Sequence, residues 1–361
     1  MKRVLFTVTN DLTYDQRMIR ICTSLQANGY DVCLIGRKLP NSMALKEQPF
    51  RQKRLALLFK KGAPFYMEYN LRLFFYLLYS PFDAICAIDL DTILPCLFVS
   101  KLRNKKRVYD AHELFCEMKE IVTRPRIYRV WKWIERLSVP KFKDGYTVNE
   151  AIRNILNQDY AVNYEIIRSI SVLKPLPIVP KENFIIYQGA VNEGRSFETI
   201  IPAFNFINVP LYLYGDGNFL EEAKALANKY QLEDKVLFKG KLSPAELNQI
   251  TPKAILGLTI FENTGLSNYY SLANRFFDYI HGGIPQVCVN YPVYQEINET
   301  IEVAVLIDDL SVEGIARVIN ETLSDEPLMS RLKVNCVKAR ELYNWQAEEK
   351  RLLKFYNQLF A

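Results

Sequence analysis

The sequence predicts an α/β protein with two domains, each built on a parallel sheet. Short apolar segments typical of buried strands, such as residues 4–8 (VLFTV) and 254–261 (AILGLTIF), alternate with segments of helical period. The chain has 361 residues, which is enough for two hydrophobic cores. Pro175, Pro177 and Pro180 crowd one short segment, and strand-like and helix-like segments begin afresh after it.

That proline-rich segment sets the expected domain boundaries. We expect an N-terminal domain over residues 1–172, a linker over 173–182 and a C-terminal domain over 183–342. Residues 145–150 (GYTVNE) predict the last strand of the first domain and the start of a helix. The final run, residues 343–361, has a helical period and is long enough to return to the first domain and pack on it.

A β-α-β unit opens the chain. Residues 4–8 and 31–35 are the strands, with an amphipathic helical segment between them. The unit lacks the G-x-G-x-x-G fingerprint, which argues against a dinucleotide site here. Polar residues that follow the first strand, at an edge expected to face a cleft, are Asn10, Asp11, Asp15 and Arg17. Turn and capping chemistry explains such residues as well as function does, so both interpretations stay open.

Acidic residues and a histidine follow the next two predicted strands. Asp89 and Asp91 come after residues 83–88, and a D-x-D pair can hold a divalent cation against a diphosphate. Asp91 also stands directly before a helical pattern, so we prefer helix capping and cleft lining to a metal site. His112 and Glu113 follow the strand that ends at Asp110. A histidine at the carboxyl end of a parallel strand is a candidate catalytic residue.

The second half repeats the pattern of strand, tight turn and helix. Gly189 follows residues 183–188, and Arg195 stands at the start of a helix, where a guanidinium can meet a phosphate. Gly215 belongs to a G-D-G turn, which by itself is a weak signal, and Lys241 precedes a helix expected to be capped by Ser243.

Residues 263–285 form the stretch around which the rest is arranged. A strand over 254–261 precedes it, a helix is expected over 271–280, and a strand over 286–289 follows. This order places the free N–H groups of a helix N-terminus at the carboxyl edge of a parallel sheet, where an anion such as a diphosphate binds well. The helix carries Asn274, Arg275 and Asp278. The alternative is an amphipathic helix with a solvated face.

Charge is distributed unevenly along the chain. The first 180 residues hold 29 Lys and Arg against 17 Asp and Glu, whereas the remainder is mildly acidic. Segments 51–79 and 124–143 mix cationic and aromatic residues, a composition suited to helices at the headgroup level of a membrane. For either segment alone, a core-facing helix with a basic outer face is the simpler interpretation. Together they suggest contact with an anionic membrane surface, and the lack of a nucleic-acid-binding motif argues against nucleic acid.

Composition indicates a reduced, cytoplasmic protein. A strand begins directly after Met1-Lys2-Arg3, so we expect no signal peptide. The apolar run at 73–79 is too short to span a bilayer. The seven cysteines are scattered and without a C-x-x-C pair, so we expect buried thiols and neither disulfides nor a zinc site. Association with the inner face of the cytoplasmic membrane would be peripheral.

With these motifs laid out, nearly the whole chain resembles GT-B glycosyltransferases, specifically the family 4-like group of bacterial polysaccharide and lipopolysaccharide enzymes. The motifs that carry the resemblance are D-x-R (Asp15, Arg17), DLDT-x-LP (89–95), D-x-HE (110–113), YTVNE (146–150), G-x-x-x-x-GR (189–195), YGDG (214–217), F-x-G (238–240), AN-R-FFDY-x-x-GG-x-P (273–285) and YNW (343–345).

The resemblance implies two Rossmann-like domains facing across a cleft. The C-terminal domain would hold a nucleotide-diphosphate sugar such as a UDP- or GDP-sugar, used as co-substrate with no further cofactor and no metal. The acceptor, a glycan or a lipid-linked hydroxyl, would enter from the N-terminal domain, and transfer would retain the anomeric configuration. Arg195 and Arg275 would neutralise the diphosphate, Asp278 would take the ribose hydroxyls and His112 would contact the transferred sugar.

These expectations sort the candidate residues into three groups. The residues expected at the catalytic centre are His112, Asp15 and Glu113. Those expected to bind the donor are Gly189, Arg195, Gly215, Lys241, Asn274, Arg275 and Asp278. Those expected on the acceptor side are Asn10, Asp11, Arg17, Asp89 and Asp91.

Several positions depart from the family pattern. Tyr270 occupies the place of the first glutamate of a paired-glutamate motif, and Asp278 shortens the second. Ala190 stands where a basic residue is usual, and Ser196 replaces a frequent glycine. Two alternatives to a transferase therefore stay open: a nucleotide-sugar-binding assembly partner that does not catalyse, and an epimerase of the same fold acting on the free nucleotide sugar.

Overall fold

The computed structural model describes residues 1–177 and 179–361, so Ile178 of the predicted linker lies outside the described residues. The chain forms two compact units. The first comprises Met1–Ser169, Gly265–Ser267 and Trp345–Ala361, and the second comprises Ile170–Thr264 and Asn268–Asn344.

The first unit contains a seven-stranded, all-parallel sheet with the strand order β3-β2-β1-β4-β5-β6-β7. Its central strands are buried on both faces, which explains why they are nearly continuous apolar runs in the sequence. We expected the last strand of this domain within residues 145–150. A further strand, at residues 165–166, follows it in the chain, so that expectation was wrong. The strands are β1 (Arg3–Thr7), β2 (Asp31–Arg37), β3 (Arg51–Leu55), β4 (Ala84–Ile88), β5 (Lys106–Ala111), β6 (Asp144–Thr147) and β7 (Glu165–Ile166).

Six helices connect these strands, in addition to short 3-10 turns. Segment 51–79, expected to be helical, divides into β3 and a helix, because residues 51–55 pair in parallel with β2. The helices are α1 (Gln16–Ala27), α2 (Gly62–Tyr79), α3 (Ile93–Leu102), α4 (Lys119–Val122), α5 (Pro125–Ser138) and α6 (Glu150–Tyr160).

The second unit contains a six-stranded parallel sheet with the order β10-β9-β8-β11-β12-β13. Two parallel α/β domains are therefore confirmed. The strands are β8 (Ile185–Gln188), β9 (Leu211–Tyr214), β10 (Val236–Phe238), β11 (Leu256–Thr259), β12 (Gln286–Val289) and β13 (Ala304–Ile307).

The helix expected over 271–280 begins three residues later, at Asn274. Residue Ala273 is extended and forms its N-cap, so Ser271 and Leu272 stay in the preceding loop. The helices of this half of the chain are α7 (Phe197–Ala203), α8 (Leu220–Lys229), α9 (Pro244–Ile250), α10 (Leu266–Tyr269), α11 (Asn274–His281), α12 (Pro292–Thr300), α13 (Val312–Ser324) and α14 (Glu326–Leu342).

The last helix, α15 (Trp345–Phe360), returns to the first unit as predicted. Its buried face includes Leu352 and Tyr356 and joins the core formed by β1, β2 and α1. The Trp345 indole N–H donates to Ser24 Oγ of α1 at 2.9 Å. Burial of this face stabilises both the helix and the sheet that it covers.

The seven cysteines are buried and unpaired, as the sequence predicts. Over residues 1–177 and 179–361, no helix is both long enough and apolar enough to cross a membrane.

Replacing Leu352 by alanine tests the docking of α15. The side chain is fully buried in the first unit, so we expect the free energy of unfolding to fall by about 2–5 kcal/mol. Chemical denaturation measures it. The matched control is Leu342→Ala at the end of α14, where the side chain is 57 % exposed and the expected change is within about 0.5 kcal/mol. Equal effects of the two substitutions would contradict the placement of α15.

Candidate active site

In the first unit, polar residues gather where β4 and β5 end. Asp89 directly follows β4 and His112 directly follows β5, and adjacent parallel strands bring these positions together. The His112 backbone N–H donates to Asp89 Oδ1 at 2.9 Å. Asp89 has φ 53°, in the left-handed region that costs a non-glycine residue about 1–2 kcal/mol. The hydrogen bond from His112 helps to hold this strained turn.

The His112 ring lies between two carboxylates. Its Nε2 is 3.1 Å from Asp110 Oδ2 and its Nδ1 is 3.7 Å from Asp89 Oδ2. Burial lowers the pKa of His112, but Asp110 and Asp89 outweigh burial and raise the pKa to about 9. A quarter of the side chain is exposed, so the imidazolium can still meet a ligand.

Arg17 holds this histidine in place from α1. Its guanidinium is buried, with Nη2 2.8 Å from Asp110 Oδ1 and Nη1 donating to the Ile167 carbonyl at 2.8 Å. Arg17 Nε lies 2.9 Å from His112 Nε2, the nitrogen that also faces Asp110. Because carboxylates flank the ring, the Nε2–H of the imidazolium donates to Asp110 Oδ2, and Arg17 neutralises that carboxylate. Arg17 therefore positions His112, and its expected role on the acceptor side stays a prediction.

Asp91 does not cap α3, so that expectation was wrong. A 3-10 turn, Leu90–Thr92, intervenes, and Thr92 occupies the N-cap position without a side-chain bond. The Asp91 carboxylate instead accepts a hydrogen bond from Thr9 Oγ1, after β1. Burial raises the pKa of Asp91 to about 6 and also raises the pKa of Asp89. Among the described residues, no group of three or more His, Cys, Asp or Glu side chains is arranged to hold a metal ion.

The loop after β1 uses its polar side chains for its own conformation. Asp15 is the N-cap of α1: its Oδ1 accepts from the Met18 N–H at 3.0 Å and its Oδ2 accepts from Asn10 Nδ2 at 2.7 Å. Asp11 accepts hydrogen bonds from the Thr13 N–H and from a serine hydroxyl. These contacts favour the turn and capping interpretation of the three residues.

Glu113, the third residue expected at the catalytic centre, lies beside the His112 turn. Its Oε2 accepts a hydrogen bond from Ser267 Oγ at 3.1 Å, within the same unit.

In the second unit, Arg275 is a buried cation without an ion-pair partner among the described residues. It lies in the first turn of α11 and donates from Nη1 to Tyr187 Oη at 2.7 Å. Its Nε and Nη2 are buried and have no hydrogen-bond partner in the described part of the chain. Nη1 lies 3.3 Å from the point where a Cβ on Gly189 would be, so glycine there permits the close approach. Unsatisfied buried donors are costly, and a bound anion would satisfy them.

Arg195 converges on the same place. Its guanidinium carbon is 5.4 Å from the centre of the Phe261 ring, and that of Arg275 is 5.9 Å from the same ring. The Arg275 guanidinium also stacks on Tyr187, at 4.5 Å. Both guanidinium groups therefore lie near the carboxyl ends of β8 and β11.

Other residues expected to bind the donor have mixed positions. A Cβ on Gly215 would lie 1.9 Å from the Gly189 carbonyl oxygen, so Gly215 is needed for the close packing of two loops. Asp278 lies one turn after Arg275 and accepts from Ser171 Oγ at 2.9 Å and from Gln188 Nε2 at 3.0 Å. Lys241 and Asn274 are exposed, after β10 and at the start of α11 respectively.

The sequence reasoning missed the aromatic residues that hold the arginines. Tyr187 belongs to β8 and Phe261 follows β11. Their positions at the carboxyl ends of neighbouring parallel strands are the signal that could have identified them.

Sequence comparison relates the second half to a known family. Residues 172–338 match the family model described as Glycosyl transferases group 1. This region, less than half of the chain, is therefore similar to group 1 glycosyltransferases. It contains all seven residues expected to bind the donor, Arg195 and Arg275 among them. A comparison with curated proteins found no match to the chain.

Solved structures place the whole chain in the GT-B fold. Sucrose-phosphate synthase from Thermosynechococcus elongatus has a TM-score of 0.81 at 17 % identity, over 100 % of this chain and 99 % of that one. Anabaena HepE with bound UDP-glucose has a TM-score of 0.78 at 13 % identity, over 99 % and 100 %. WaaG, a glycosyltransferase of lipopolysaccharide biosynthesis, has a TM-score of 0.69 at 15 % identity, over 96 % and 98 %. The predicted fold class is confirmed.

The charge of His112 gives a testable pH dependence. We expect its ring protons to titrate near pH 9 by NMR and the pKa to fall in Asp89→Asn, because that substitution removes a flanking carboxylate. His281, the other histidine, is the internal control. Since the folded pKa lies above the ordinary 6.5, the stability from this site is complete below pH 6.5 and is lost as pH rises through about 9. A wild-type value near 6.5 would contradict the assigned contacts.

Proposed function

We propose that the protein is a retaining glycosyltransferase. It moves a sugar from a nucleotide-diphosphate donor to a hydroxyl of a glycan or lipid-linked acceptor in cell-surface polysaccharide synthesis, in the cytoplasm. The observation that carries the proposal is the pair of arginines at Phe261, one of them buried with two unsatisfied donors.

The diphosphate of the donor suits this site in charge and in hydrogen bonding. Arg275 offers two buried N–H-bearing nitrogens, Arg195 adds a second cation, and the N-terminus of α11 adds backbone N–H groups. Negative charge grows on the diphosphate as the sugar leaves, and preorganised donors that meet this charge lower the barrier. Stabilisation of the leaving group is thus the principal catalytic contribution that we assign to the second unit.

The same geometry compensates for a departure from the family pattern. Ala190 stands where the resemblance expects a basic side chain, and Arg275 reaches the backbone of the adjacent Gly189. We assign to Arg275 the charge that position 190 lacks. With two guanidinium groups against the diphosphate, the reaction that we propose takes its positive charge from the protein and uses no metal.

We assign His112 to the reacting sugar. The imidazolium is oriented by Asp110, Asp89 and Arg17 and remains a quarter exposed, so it can donate a hydrogen bond to a sugar hydroxyl. We assign Asp89 and Asp91, at the same edge of the sheet, to the acceptor hydroxyl.

The solved neighbours support the choice of donor and pathway. HepE was solved with UDP-glucose, and WaaG takes part in lipopolysaccharide biosynthesis. We therefore propose UDP as the first nucleotide to test, with GDP as the comparison.

Replacing Arg275 by methionine separates ligand binding from folding. We expect the Kd for UDP to rise about 10- to 100-fold, because a charge-assisted hydrogen bond contributes about 1.5–3 kcal/mol. The ligand-free variant should be as stable as the wild type or more stable, since a buried cation without a counter-ion is removed. Calorimetry and thermal shift, in EDTA and in Mg²⁺, measure both effects.

The matched control is Arg331→Met, in which an exposed guanidinium paired with Glu302 is lost and UDP affinity should not change. An unchanged Kd for UDP in Arg275→Met would contradict the assignment of Arg275 to the diphosphate. If UDP binding required Mg²⁺, the alternative in which the Asp89 and Asp91 carboxylates bind a metal ion would be favoured.

Replacing His112 by alanine separates chemistry from donor binding. We expect kcat for sugar transfer to fall about 10- to 100-fold with UDP affinity unchanged, because the lost hydrogen bond comes from a charged group. Release of UDP from a panel of UDP-sugars, with and without acceptor glycans, measures turnover. UDP binding without turnover would favour the non-catalytic partner, and conversion of the sugar without an acceptor would favour an epimerase.

A further inference from the structure

The carboxyl ends of β2 and β3 bring together basic residues to which the proposed reaction assigns no role. β2 ends at Arg37, and Lys38 follows it directly. β3 ends at Leu55, and Lys60 lies in the segment between β3 and α2. The Lys38 backbone N–H donates to the Leu55 carbonyl at 2.8 Å, which holds the two strand ends together. The parallel pairing of β2 with β3 therefore places cations from two segments of the chain side by side.

These residues line a pocket of about 210 Å³. Its described lining contains Arg37, Lys38 and Lys60 and no acidic residue, and the remainder is apolar, including Leu57 and Phe59. Sites that enclose a whole small molecule usually have volumes of roughly 300–1,000 Å³. A pocket of this smaller size suits one substituent of a larger ligand.

Arg37 is held in place, but its hydrogen-bonding capacity is not used up. Its guanidinium carbon lies 4.2 Å from the centre of the Phe65 ring of α2, a stack that fixes the plane of the group. Nη1 donates to the Lys60 carbonyl at 3.1 Å, whereas Nε is buried and has no partner among the described residues. None of the ion pairs in the described part of the chain involves Arg37, Lys38 or Lys60. An anion would supply the missing partner.

The carboxylate of Glu68 borders the pocket but is already engaged. It accepts hydrogen bonds from the Leu58 and Phe59 N–H groups at 2.9 Å and pairs with Arg72 at 2.8 Å. The charge that faces the pocket is therefore positive, and an anionic ligand would balance it.

The pocket lies at the same edge of the first sheet as Asp91. β1 separates β2 from β4, and neighbouring strands are about 4.8 Å apart, so the carboxyl ends of β2 and β4 lie about 10 Å apart. The charges of both places act on Tyr66 of α2, because burial raises the pKa of its hydroxyl, Asp91 raises it further and Arg37 lowers it. Arg37 and Asp91 are thus close enough to influence one hydroxyl group.

We propose that Arg37, Lys38 and Lys60 bind a phosphate group. A phosphate has several acceptor oxygens and up to about two negative charges, which match a guanidinium and two ammonium groups. The apolar part of the lining and the small volume favour a phosphate attached to a larger molecule. A carboxylate has a single charge and two acceptor atoms, so it would use fewer of the available donors.

This pocket also indicates the class of acceptor. We assigned the acceptor hydroxyl to Asp89 and Asp91, which lie about two strand spacings, or about 10 Å, along the same edge. A phosphorylated glycan acceptor with its phosphate in the pocket would present a hydroxyl of a nearby sugar ring to these carboxylates. This consequence rests on the proposed sugar transfer, whereas phosphate binding itself does not.

Calorimetry on the full chain tests phosphate binding without any turnover. The probes are inorganic phosphate, a hexose phosphate and the uncharged hexose, each with and without UDP, so that binding at the donor site is recognised. The hexose phosphate should bind, inorganic phosphate should bind more weakly and the hexose should not bind. In Arg37→Met, and in Lys38→Gln with Lys60→Gln, the Kd for the hexose phosphate should rise about tenfold, because charge-assisted hydrogen bonds are lost.

The matched control removes two exposed lysines elsewhere in the first unit, Lys53→Gln with Lys101→Gln, and should leave this Kd unchanged. It changes the net charge as much as the double lysine variant of the pocket, so it separates a local site from general attraction. Thermal unfolding without ligand shows that each variant is folded. A Kd that is equal in the wild type and both pocket variants would overturn the proposal, as would an equal loss of affinity in the control. Inorganic phosphate that binds as tightly as the hexose phosphate would overturn the assignment to an attached phosphate.

Turnover separates the acceptor assignment from the proposed transferase activity. With a UDP-sugar as donor and the hexose phosphate as acceptor, KM for the acceptor should rise about tenfold in Arg37→Met with kcat little changed, because the pocket contributes binding. With the uncharged hexose, Arg37→Met and the wild type should release UDP at the same rate. An unchanged KM for the hexose phosphate would overturn the acceptor assignment. If no acceptor caused UDP release but Arg37→Met still lost phosphate binding, the pocket would be supported and the proposed transferase contradicted.

Discussion

The buried ion pair between Arg17 and Asp110 is the interaction on which the first unit's candidate site depends. Arg17 comes from α1, Asp110 from β5, and the Ile167 carbonyl, just after β7, takes a third bond from the same guanidinium. Three segments that are distant in sequence are therefore fixed to one planar group. Within this pair, Asp110 raises the pKa of His112, and both partners contact its Nε2. Removing one partner of a buried ion pair lowers the free energy of unfolding by about 3–5 kcal/mol. The geometry of the site and the stability of the local fold therefore depend on the same interaction.

The second unit uses a buried arginine in the opposite way. Arg275 is held by the rings of Tyr187 and Phe261 and by one phenol oxygen, and it forms no ion pair in the described part of the chain. A guanidinium stays charged even when it is buried, so the fold tolerates an uncompensated cation. Binding of an anion would release this cost. Arg17 thus has its partners within the protein, whereas Arg275 keeps two donors without a partner in the described part of the chain.

The same distinction between satisfied and unsatisfied groups applies to apolar surface. The inner side of α2 is covered by the core of the first unit, while the outer side, with Leu71 and Phe75, is exposed above a groove. Apolar surface left in water has a cost that coverage by hydrocarbon removes. The second unit therefore contains a buried cation without an ion-pair partner among the described residues, and the first unit contains an exposed apolar side of α2.

The sequence alone determined the two-domain α/β class and the return of the last helix, and it indicated Arg195 and Arg275 as candidates, because strand and helix periodicity and charged residues after strands are local signals. It did not determine which polar residues were already used. From the sequence, Asp15 fits a catalytic role and a capping role equally well, and the structure shows that it accepts a hydrogen bond from the Met18 N–H. The sequence predicts Asp91 as a helix cap, and the structure shows that a 3-10 turn separates it from α3. Whether a polar side chain has a hydrogen-bond or ion-pair partner depends on residues far away in the chain, as the ion pair of Arg17 with Asp110 shows. Only the tertiary structure brings such groups together, and only it shows which of them remain without a partner.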